Sequence, residues 1–379
     1  MSQTDFVRQM PGAVAELNRR PSLWQQLHID LLLLLLLLAL AGFGLVVLYS
    51  AGGQSLEGVY RQARYLALAL LTMVALAQVR PARARRAAPW AYGVAVILLM
   101  AVPLLGDSAK GAQRWLELGG VRFQPSEIMK LVMPITMAWY LADRGLPPRW
   151  PQVLISLGLV LVPTVLVGMQ PDLGNAILVA TGGLAVLFLA GLGWRYLFIA
   201  AAALSAAAWP AWHFLLRDYQ RQRIATLLNP EADKLGSGWN IIQSKTAIGS
   251  GGWAGKGWLQ GTQSHLDFLP ESHTDFIVAV LAEEWGLKGV VGVLTLYVLI
   301  IGRGLWITVC ARHSFDRLLA GAIVLTFFAY VFVNMGMVSG LLPVVGVPLP
   351  LISRGGTSLA TLLAGFGLLM SIATRRAEH

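Results

Sequence analysis

Asp275 is the residue of this sequence best placed to do chemistry, because it brings a carboxylate to the start of a strongly apolar stretch. A Gly-rich polar stretch precedes it, and an apolar run from Phe276 to Ala282 follows it. An ionisable side chain in a membrane segment is costly unless it faces a cavity or a partner, so it marks a functional site by default. His273 and Thr274 are typical of a helix start, which predicts that Asp275 lies in the first turn of a helix.

The same residue has a plainer interpretation, because the helix dipole favours a carboxylate at a helix N-terminus without any catalytic role. Helical spacing places Asp275 on one face with Ala279, Ala282 and Glu283, which predicts two carboxylates in one groove. The sequence at 282–284, Ala-Glu-Glu, is also typical of a solvated helix end. Both interpretations of Glu283 stay open at this point.

A second polar pair, Glu127 and Lys130, opens another apolar stretch, and Ser126 could cap that helix. Their spacing of three residues predicts a local ion pair. The alternative is that Lys130 points into a polar cavity within the membrane and meets an anionic group of a substrate. Positive charge could also come from residues of the loops: Arg114, Lys245 and Lys256.

The glycines between 249 and 257 do not form a nucleotide-binding phosphate loop. Ser250 stands where that pattern requires its first glycine, and Gly257 stands where it requires Ser or Thr. Glycines here favour tight turns and close backbone approach, and backbone amides could still contact a phosphate. The six histidines lack paired metal-ligand spacing, which argues against a permanent zinc site. A Mg²⁺ or Mn²⁺ ion held by carboxylates and a pyrophosphate stays open.

Composition identifies the elements that must position these residues as membrane helices. The chain has 379 residues, of which 56% are hydrophobic and 13% charged, and its mean hydropathy is +0.64. Soluble domains do not reach such values. The formal charge of +10 resides in cations that cluster between apolar segments, as topology signals and contacts with membrane lipids do, which argues against nucleic-acid binding. The single cysteine, Cys310, excludes an internal disulfide.

Apolar runs of roughly 17 to 22 residues, long enough to cross a bilayer, predict an all-α polytopic protein with about ten transmembrane helices. The predicted spans are 29–50, 62–79, 87–105, 126–142, 152–168, 173–191, 195–215, 287–309, 317–337 and 356–374. They leave a cytosolic tail at 1–28, a membrane domain at 29–376 and a cytosolic end at 377–379. The cations predicted to be cytosolic are all arginines, so the positive-inside rule places both termini in the cytosol.

Three extracytoplasmic segments are too polar to be simple turns. Residues 106–125 interleave aromatic and charged residues as an interfacial segment does. Residues 216–273 form a large loop between the seventh and eighth helices, and its tryptophans argue against disorder. Residues 338–356 carry prolines and glycines among apolar residues, which predicts a re-entrant or broken segment before the last helix.

At these residues the chain resembles the SEDS family (shape, elongation, division and sporulation proteins), and its elongation branch more than its division branch. The motifs are AQRWL at 112–116, FQPSEIMKL at 123–131, MQPDLG at 169–174, IIQSKTAIGSGGWAGKGW at 241–258, GTQSHLDFLPESHTDFIVAVLAEEWG at 261–286 and NMGMVSGLLPVVGVPLPLIS at 334–353. Two residues depart from the family's pattern: Arg354 replaces an aromatic residue, and Asn175 replaces a small hydroxyl residue.

The resemblance implies a peptidoglycan glycosyltransferase of the bacterial cytoplasmic (inner) membrane that polymerises lipid II into a growing glycan chain. It implies a class B penicillin-binding protein as transpeptidase partner, together with other cell-elongation proteins. The essential aspartate of the family falls on Asp275. Residues of the shared motifs and neighbouring loops are the candidates for substrate binding: Arg114, Trp115, Gln124, Glu127, Lys130, Gln243, Ser244, Lys245, Ser250, His273, Glu283 and Ser353.

The chemistry expected of such an enzyme is a single in-line displacement that inverts an α-linked sugar pyrophosphate to a β-1,4 linkage. One base, Asp275, is then enough, because pyrophosphate leaves well once its charge is neutralised. The candidate cations for that task are Lys130, Arg114 and Lys245, with Mg²⁺ or Mn²⁺ as a further candidate. Two other function classes compete: a lipid II flippase or other transporter, for which broken helices and a charged cavity are also suited, and a non-catalytic scaffold of the elongation complex.

Overall fold

The computed structural model describes residues 23–375, except for 110–111, 119–120, 194, 197, 200–201, 203–204, 207–208, 210–212, 214–217, 234–236 and 263–271. Within these ranges almost all of the regular structure is helical. The helices are α1 (Leu23–Gln26), α2 (Leu31–Ala51), α3 (Leu56–Ala77), α4 (Pro81–Leu105), α5 (Pro125–Ala142), α6 (Trp150–Met169), α7 (Leu173–Leu189), α8 (Asp218–Leu228), α9 (Ser237–Gly251), α10 (Ile277–Cys310), α11 (Ser314–Val338) and α12 (Thr357–Thr374).

The helices α2 to α7 and α10 to α12 confirm that nine of the ten predicted spans are helical, since each helix overlaps one of them. Six helices of the described part are long and apolar enough to cross a membrane by length and composition: α2, α4, α6, α10, α11 and α12. The span predicted at 195–215 lies largely outside the described residues. The fold is therefore that of a polytopic membrane protein.

Burial separates the inner helices from the outer ones. In the most apolar window of α11, 67% of residues are buried by the protein, whereas the figure for α4 is 22%. The exposed residues of α4 are large and apolar, among them Trp90, Ile97 and Leu104. Since a membrane helix needs no polar surface where it meets lipid, α4 lies at the periphery of the bundle, and α11 lies at its centre.

A small antiparallel sheet follows α4, and the sequence analysis did not predict it. Its strands are β1 (Asp107–Ala109), β2 (Ala112–Leu118) and β3 (Val121–Phe123), in the order β1-β2-β3. Leu116 pairs with Phe123 and is 7% exposed, so one face of β2 packs against the bundle. The alternation of apolar and charged residues that indicated an interfacial segment is in fact the two-residue period of a strand.

The described part of the large loop contains two further helices, α8 and α9, with a short 3₁₀ helix (Pro230–Ala232) between them. The helix α9 packs against α10, and Ile241 and Ala247 on it are each 1% exposed. The expectation that this loop is ordered is confirmed for its described part.

Residues 339–356, here called the irregular segment, contain no helix or strand, as predicted. The segment is nevertheless buried in protein: Val347 and Leu349 are each 1% exposed. Its backbone passes so close to two helices that only glycine fits there, because a Cβ at Gly44 of α2 or at Gly174 of α7 would lie 2.6 Å from one of its carbonyl oxygens. Non-helical backbone is tolerated at membrane depth when protein surrounds it.

Candidate active site

Asp275 lies in a turn at 272–276 and not inside a helix, because α10 begins only at Ile277. The prediction of a helix from His273 or Thr274 is wrong by about one turn. Since the helix starts later, Asp275 is not on the helix face that carries Ala279. The prediction that Asp275 and Glu283 lie on one helix face is therefore wrong. Asp275 is partly exposed, in contrast to the buried residues that follow it.

The turn is held by Asn334 of α11, which is fully buried. Its Nδ2 donates to the carbonyl oxygen of Asp275 at 2.9 Å and to that of Val347 at 2.7 Å. One side-chain amide thus ties the candidate base to the irregular segment. Beside it stands Gly346, with a φ of +75°, and a Cβ there would lie 3.6 Å from Asp275 Oδ2. The segment therefore presents its least bulky residue to the carboxylate.

Two more contacts fix the residues just before Asp275. The backbone N–H of Arg354 donates to the carbonyl oxygen of His273 at 3.0 Å. The Ser272 hydroxyl donates to the carbonyl oxygen of Ala51, at the end of α2, at 3.2 Å. The turn is consequently anchored to α2, to α11 and to the irregular segment, which gives its backbone one defined position.

The predicted site residue Ser353 shapes the irregular segment. It is buried, and its hydroxyl accepts from the backbone N–H of Leu349 at 2.9 Å. Gln62 of α3 holds the same stretch, because its Nε2 donates to the carbonyl oxygen of Ser353 at 3.4 Å and its Oε1 accepts from the N–H of Gly355 at 3.3 Å. Ser353 thus positions the segment that faces Asp275.

The helix α10 is broken at Gly286, where φ is +65° and ψ is −164°. Its first part therefore ends in carbonyl groups without helical partners, as every helix end does. The loop after α9 supplies those partners. The N–H groups of Lys256 and Gly257 donate to the carbonyl oxygens of Glu283 and Glu284, each at 3.0 Å.

The same loop also accepts hydrogen bonds from the first N–H groups of the second part of α10. The N–H of Leu287 donates to the carbonyl oxygen of Gly252 at 2.9 Å, and that of Lys288 donates to Trp253 at 3.3 Å. This explains the run of glycines, because a Cβ at Gly251 would lie 1.9 Å from a carbonyl oxygen of α10. The prediction of close backbone approach is confirmed, and the surface approached is a broken helix.

Glu283 is fully buried and contacts this loop with its side chain as well. Its Oε1 accepts from Lys256 Nζ at 2.6 Å, from the N–H of Thr262 at 2.9 Å and from the Thr262 hydroxyl at 3.1 Å. Glu284, also buried, accepts a hydrogen bond from Ser50 of α2. The solvated helix end that the sequence allowed is wrong, because both carboxylates are buried within the protein. These contacts give Glu283 the role of holding the loop that precedes Asp275.

The pair Glu127 and Lys130 forms the ion pair that its spacing predicted, with Nζ and Oε1 2.6 Å apart. The two side chains are 6% and 4% exposed, respectively. Lys130 Nζ also donates to Asn175 Oδ1 at 2.9 Å and lies 4.9 Å from the ring centroid of Tyr330. Thr361 of α12 donates to the other oxygen of Glu127 at 3.1 Å. Lys130 borders a small cavity of about 40 Å³, but its charge is already matched by Glu127.

Arg114 and Gln124 join the same network through Asp172, the residue that caps α7. Gln124 Nε2 donates to Asp172 Oδ2 at 2.8 Å, and Asn175 Nδ2 donates to the same oxygen at 2.8 Å. Arg114 Nε lies 3.9 Å from that oxygen and donates to the carbonyl oxygen of Gln170 at 3.3 Å. The structure therefore brings together four of the predicted substrate residues, Arg114, Gln124, Glu127 and Lys130, as a connected polar network.

The predicted residues of α9 have different positions. Ser244 is fully buried, and its hydroxyl donates to the carbonyl oxygen of Val338 at 2.9 Å, which joins α9 to the end of α11. Lys245 is exposed beside Gly340, since a Cβ there would lie 2.7 Å from its Nζ. Gln243 is half-buried, and Ser250 is exposed with its hydroxyl bonded to the carbonyl oxygen of Ala247 at 2.9 Å.

Lys245 and Asp275 thus contact the same irregular segment, at Gly340 and Gly346, respectively. Trp115, the remaining predicted residue, lies in β2, where the guanidinium of Arg122 sits 5.9 Å from its ring centroid.

Two residues of the site were not predicted as members of it. Asn334 stands in a motif that the sequence analysis quoted, but nothing in its spacing shows that it faces Asp275, 59 positions earlier. Arg354 was noted only as a departure, and its backbone turns out to bond His273. Among the described residues, no group of three or more His, Cys, Asp or Glu side chains could hold a metal ion.

Comparison with known proteins is consistent with this arrangement. The model of the FtsW/RodA/SpoVE family, described as cell cycle protein, matches residues 30–378. The peptidoglycan glycosyltransferase MrdB of Escherichia coli K12 is 53% identical over 357 residues, which are 94% of this chain and 96% of that protein.

Two solved structures share the fold. One, described as a peptidoglycan synthase complex that coordinates polymerization and crosslinking, has a TM-score of 0.81 and 34% identity and covers 92% of this chain and 98% of its own. The other, the rod shape determining protein RodA of Thermus thermophilus, has a TM-score of 0.69 and 32% identity, covering 92% of this chain and 97% of its own.

Proposed function

The chain belongs to the FtsW/RodA/SpoVE family, and from that premise we propose that it is a peptidoglycan glycosyltransferase that polymerises lipid II into glycan strands for cell-wall elongation. The observation that carries this proposal is the 53% identity, over 94% of the chain, to a protein named as a peptidoglycan glycosyltransferase. It favours an enzyme over the flippase and the scaffold. The geometry adds a partly exposed carboxylate in a turn that three separate elements hold in place.

Asp275 acts as the general base of one inverting displacement. Its carboxylate takes the proton of the acceptor's 4-hydroxyl as that oxygen attacks the anomeric carbon of the donor sugar. The bond from that carbon to the pyrophosphate breaks, and the polyprenyl pyrophosphate leaves with the electron pair. A positioned base contributes about 10²–10⁴-fold to such a step. The small residue beside the carboxylate, Gly346, leaves room for a sugar to approach.

Neutralisation of the leaving group falls to cations whose charge is not already matched. Arg114 and Lys130 each contact a buried carboxylate, so their first role is to hold the network of α5 and α7 together. Lys245 and Arg354 make no side-chain ion pair with any residue that the structure describes, and both lie on or against the irregular segment next to Asp275. We assign the neutralisation of the leaving pyrophosphate to Lys245 and Arg354.

Among the described residues, Asp275 is the carboxylate of this site that would bind a Mg²⁺ or Mn²⁺ ion. Hard cations take oxygen ligands, and Mg²⁺ usually keeps several waters and binds substrate phosphates. The donor's pyrophosphate would supply further oxygen ligands beside water, and the bound ion would reduce the charge of the leaving group. This fits a site that lacks a pre-built cluster of metal ligands in its described part.

The proposed topology places Asp275 on the extracytoplasmic side, with both termini in the cytosol, because the arginine-rich ends of the helices lie at the opposite end of the bundle. A class B penicillin-binding protein is the proposed partner, together with other elongation proteins. The structural relative that belongs to a complex for polymerization and crosslinking supports a transpeptidase partner.

The test is polymerisation of fluorescent lipid II by the purified chain with its transpeptidase partner in detergent, where no transmembrane movement is needed. We expect Asp275→Asn to remain folded and to lose at least about a hundredfold in rate, because an amide cannot accept the proton. Asp218→Asn, which changes a fully exposed carboxylate of α8, is the matched control and should polymerise normally. Full activity of Asp275→Asn would remove the base assignment.

A further inference from the structure

At the end of the bundle far from Asp275, four helices surround a cavity of about 690 Å³. Asp275 precedes the start of α10, whereas Ala311, which lines this cavity, follows its end. The part of α10 after the break at Gly286, residues 287–310, therefore separates the cavity from the active site. The charged residues that line it are five arginines and two aspartates: Arg80, Arg85, Arg86, Arg312, Arg375, Asp143 and Asp316.

The lining has an excess of three positive charges, because five arginines face two carboxylates. Arg85 forms an ion pair with Asp143. Arg375 is held in place, since its Nη2 donates to the carbonyl oxygen of Gln78 at 2.9 Å and its Nε donates to Ser371 Oγ at 3.2 Å. Arginine presents a planar fork of donors that matches a phosphate group in two-point contacts. The cavity thus has the charge and the donors for a phosphate.

The same cavity has apolar walls toward the interior of the membrane. Trp139 lies near the end of α5, Phe315 at the start of α11, and Ile372 near the end of α12, and all three line it. A soluble anion gains nothing from such walls, whereas a molecule with a phosphate at one end and hydrocarbon at the other contacts both. Basic pockets between membrane helices at the cytosolic surface bind anionic lipid headgroups for this reason.

We propose that this cavity binds the phosphate headgroup of an anionic phospholipid of the cytosolic leaflet. The arginines that line it follow the second, eighth and tenth predicted spans, each of which ends in the cytosol when the N-terminus is cytosolic. The bound lipid would join the ends of α4, α5, α11 and α12, which otherwise meet around an open space. The proposal does not depend on glycosyl transfer at Asp275.

Native mass spectrometry of the purified full-length chain, titrated with phosphatidylglycerol, tests it. The Arg86→Gln/Arg312→Gln double variant removes two exposed arginines of the cavity without touching the Arg85 ion pair. We expect it to bind phosphatidylglycerol more weakly by on the order of thirtyfold, since each cation near the headgroup contributes about one kcal/mol. The Arg83→Gln/Arg149→Gln control makes the same charge change at the same end of the bundle, outside the cavity, and should bind as the unmodified chain does.

Phosphatidylcholine and inorganic phosphate are the comparison ligands. Weak binding of phosphatidylcholine, and failure of inorganic phosphate to displace phosphatidylglycerol, support a lipid site. Equal binding by the two double variants would overturn the proposal. Tight binding of inorganic phosphate without lipid would assign the cavity to a soluble anion, and binding of polyglutamate in place of lipid would assign it to an acidic protein; both results also overturn the lipid proposal.

Discussion

Replacing Gly255 with alanine tests whether the Gly-rich loop is held to the broken helix α10 by its backbone. Gly255 has a φ of +78°, and a Cβ there would lie 2.1 Å from the carbonyl oxygen of Glu284. Both sides of that contact are main chain, so no change of rotamer relieves it. The loop must move away from α10, and the hydrogen bonds across the Gly286 break must lengthen or be lost.

The expected cost follows from those bonds. Four backbone hydrogen bonds join the loop to α10 across the break, and each contributes a net of about 1 kcal/mol. The left-handed backbone adds roughly 1 kcal/mol for a residue with a Cβ. If the loop keeps part of its contacts, the free energy that holds it against α10 falls by about 2–4 kcal/mol. Local opening would then rise on the order of a hundredfold.

Hydrogen exchange measures this opening directly at the four donor amides: Lys256, Gly257, Leu287 and Lys288. The matched control is Gly249→Ala, because Gly249 lies in α9 and no atom stands within 4 Å of the Cβ it would gain. That change should leave exchange at the four amides unaltered and favour the helix by up to about 1 kcal/mol. Equal exchange in the two variants would refute the account of the loop as a backbone partner of the helix break.

Three other results are expected. Lys130→Met leaves Glu127 as a buried charge without its ion-pair partner and should lower the free energy of unfolding by about 3–5 kcal/mol. The double variant Lys130→Met/Glu127→Leu should recover most of that loss, and thermal unfolding measures both effects. An unchanged KM for lipid II in the double variant would limit the pair to a structural role. Asn334→Ala removes two hydrogen bonds to carbonyl groups, that of Val347 buried and that of Asp275 partly buried, and should lower the free energy of unfolding by about 1–3 kcal/mol. It should lower kcat more than it raises KM, whereas Asn229→Ala, at an exposed position, should change neither. Chelation with EDTA should raise the KM for lipid II, and Mn²⁺ or Mg²⁺ should restore it; activity that EDTA leaves unaffected would remove the metal from the proposal.

The membrane helices could be predicted from sequence because the bilayer sets one requirement for each, a run of apolar residues of sufficient length. Nine predicted spans overlap helices of the structure for that reason. The sheet after α4 was not predicted, since two of its three strands have only three residues each and so show little periodicity. The break in α10 was not predicted either. Gly286 is one of three glycines, at 286, 289 and 292, and nothing in the sequence marks it out from the other two. The partners that allow the break come from about 30 residues earlier in the chain.

The sequence predicted which types of residue form the candidate site, but it did not predict the contacts between residues far apart in the chain. The ion pair of Glu127 and Lys130 is local, so spacing alone predicted it. The connection from Lys130 to Asn175 spans 45 positions, and sequence spacing carries no information at that distance. The start of α10 was placed about one turn too early because the carbonyl group of Asp275 is satisfied by a side chain of α11 and not by the helix.

That last contact decides how the Asp275→Asn experiment is to be interpreted. Asn334 holds the main-chain carbonyl of Asp275, the main-chain N–H of Arg354 holds the carbonyl of His273, and the hydroxyl of Ser272 donates to the carbonyl of Ala51. None of these bonds involves the Asp275 carboxylate, so changing it to an amide leaves the anchors of the turn in place. Loss of polymerisation in an Asp275→Asn protein that keeps these anchors therefore concerns the carboxylate itself, whereas loss in an Asn334 variant concerns the position of the backbone that carries it.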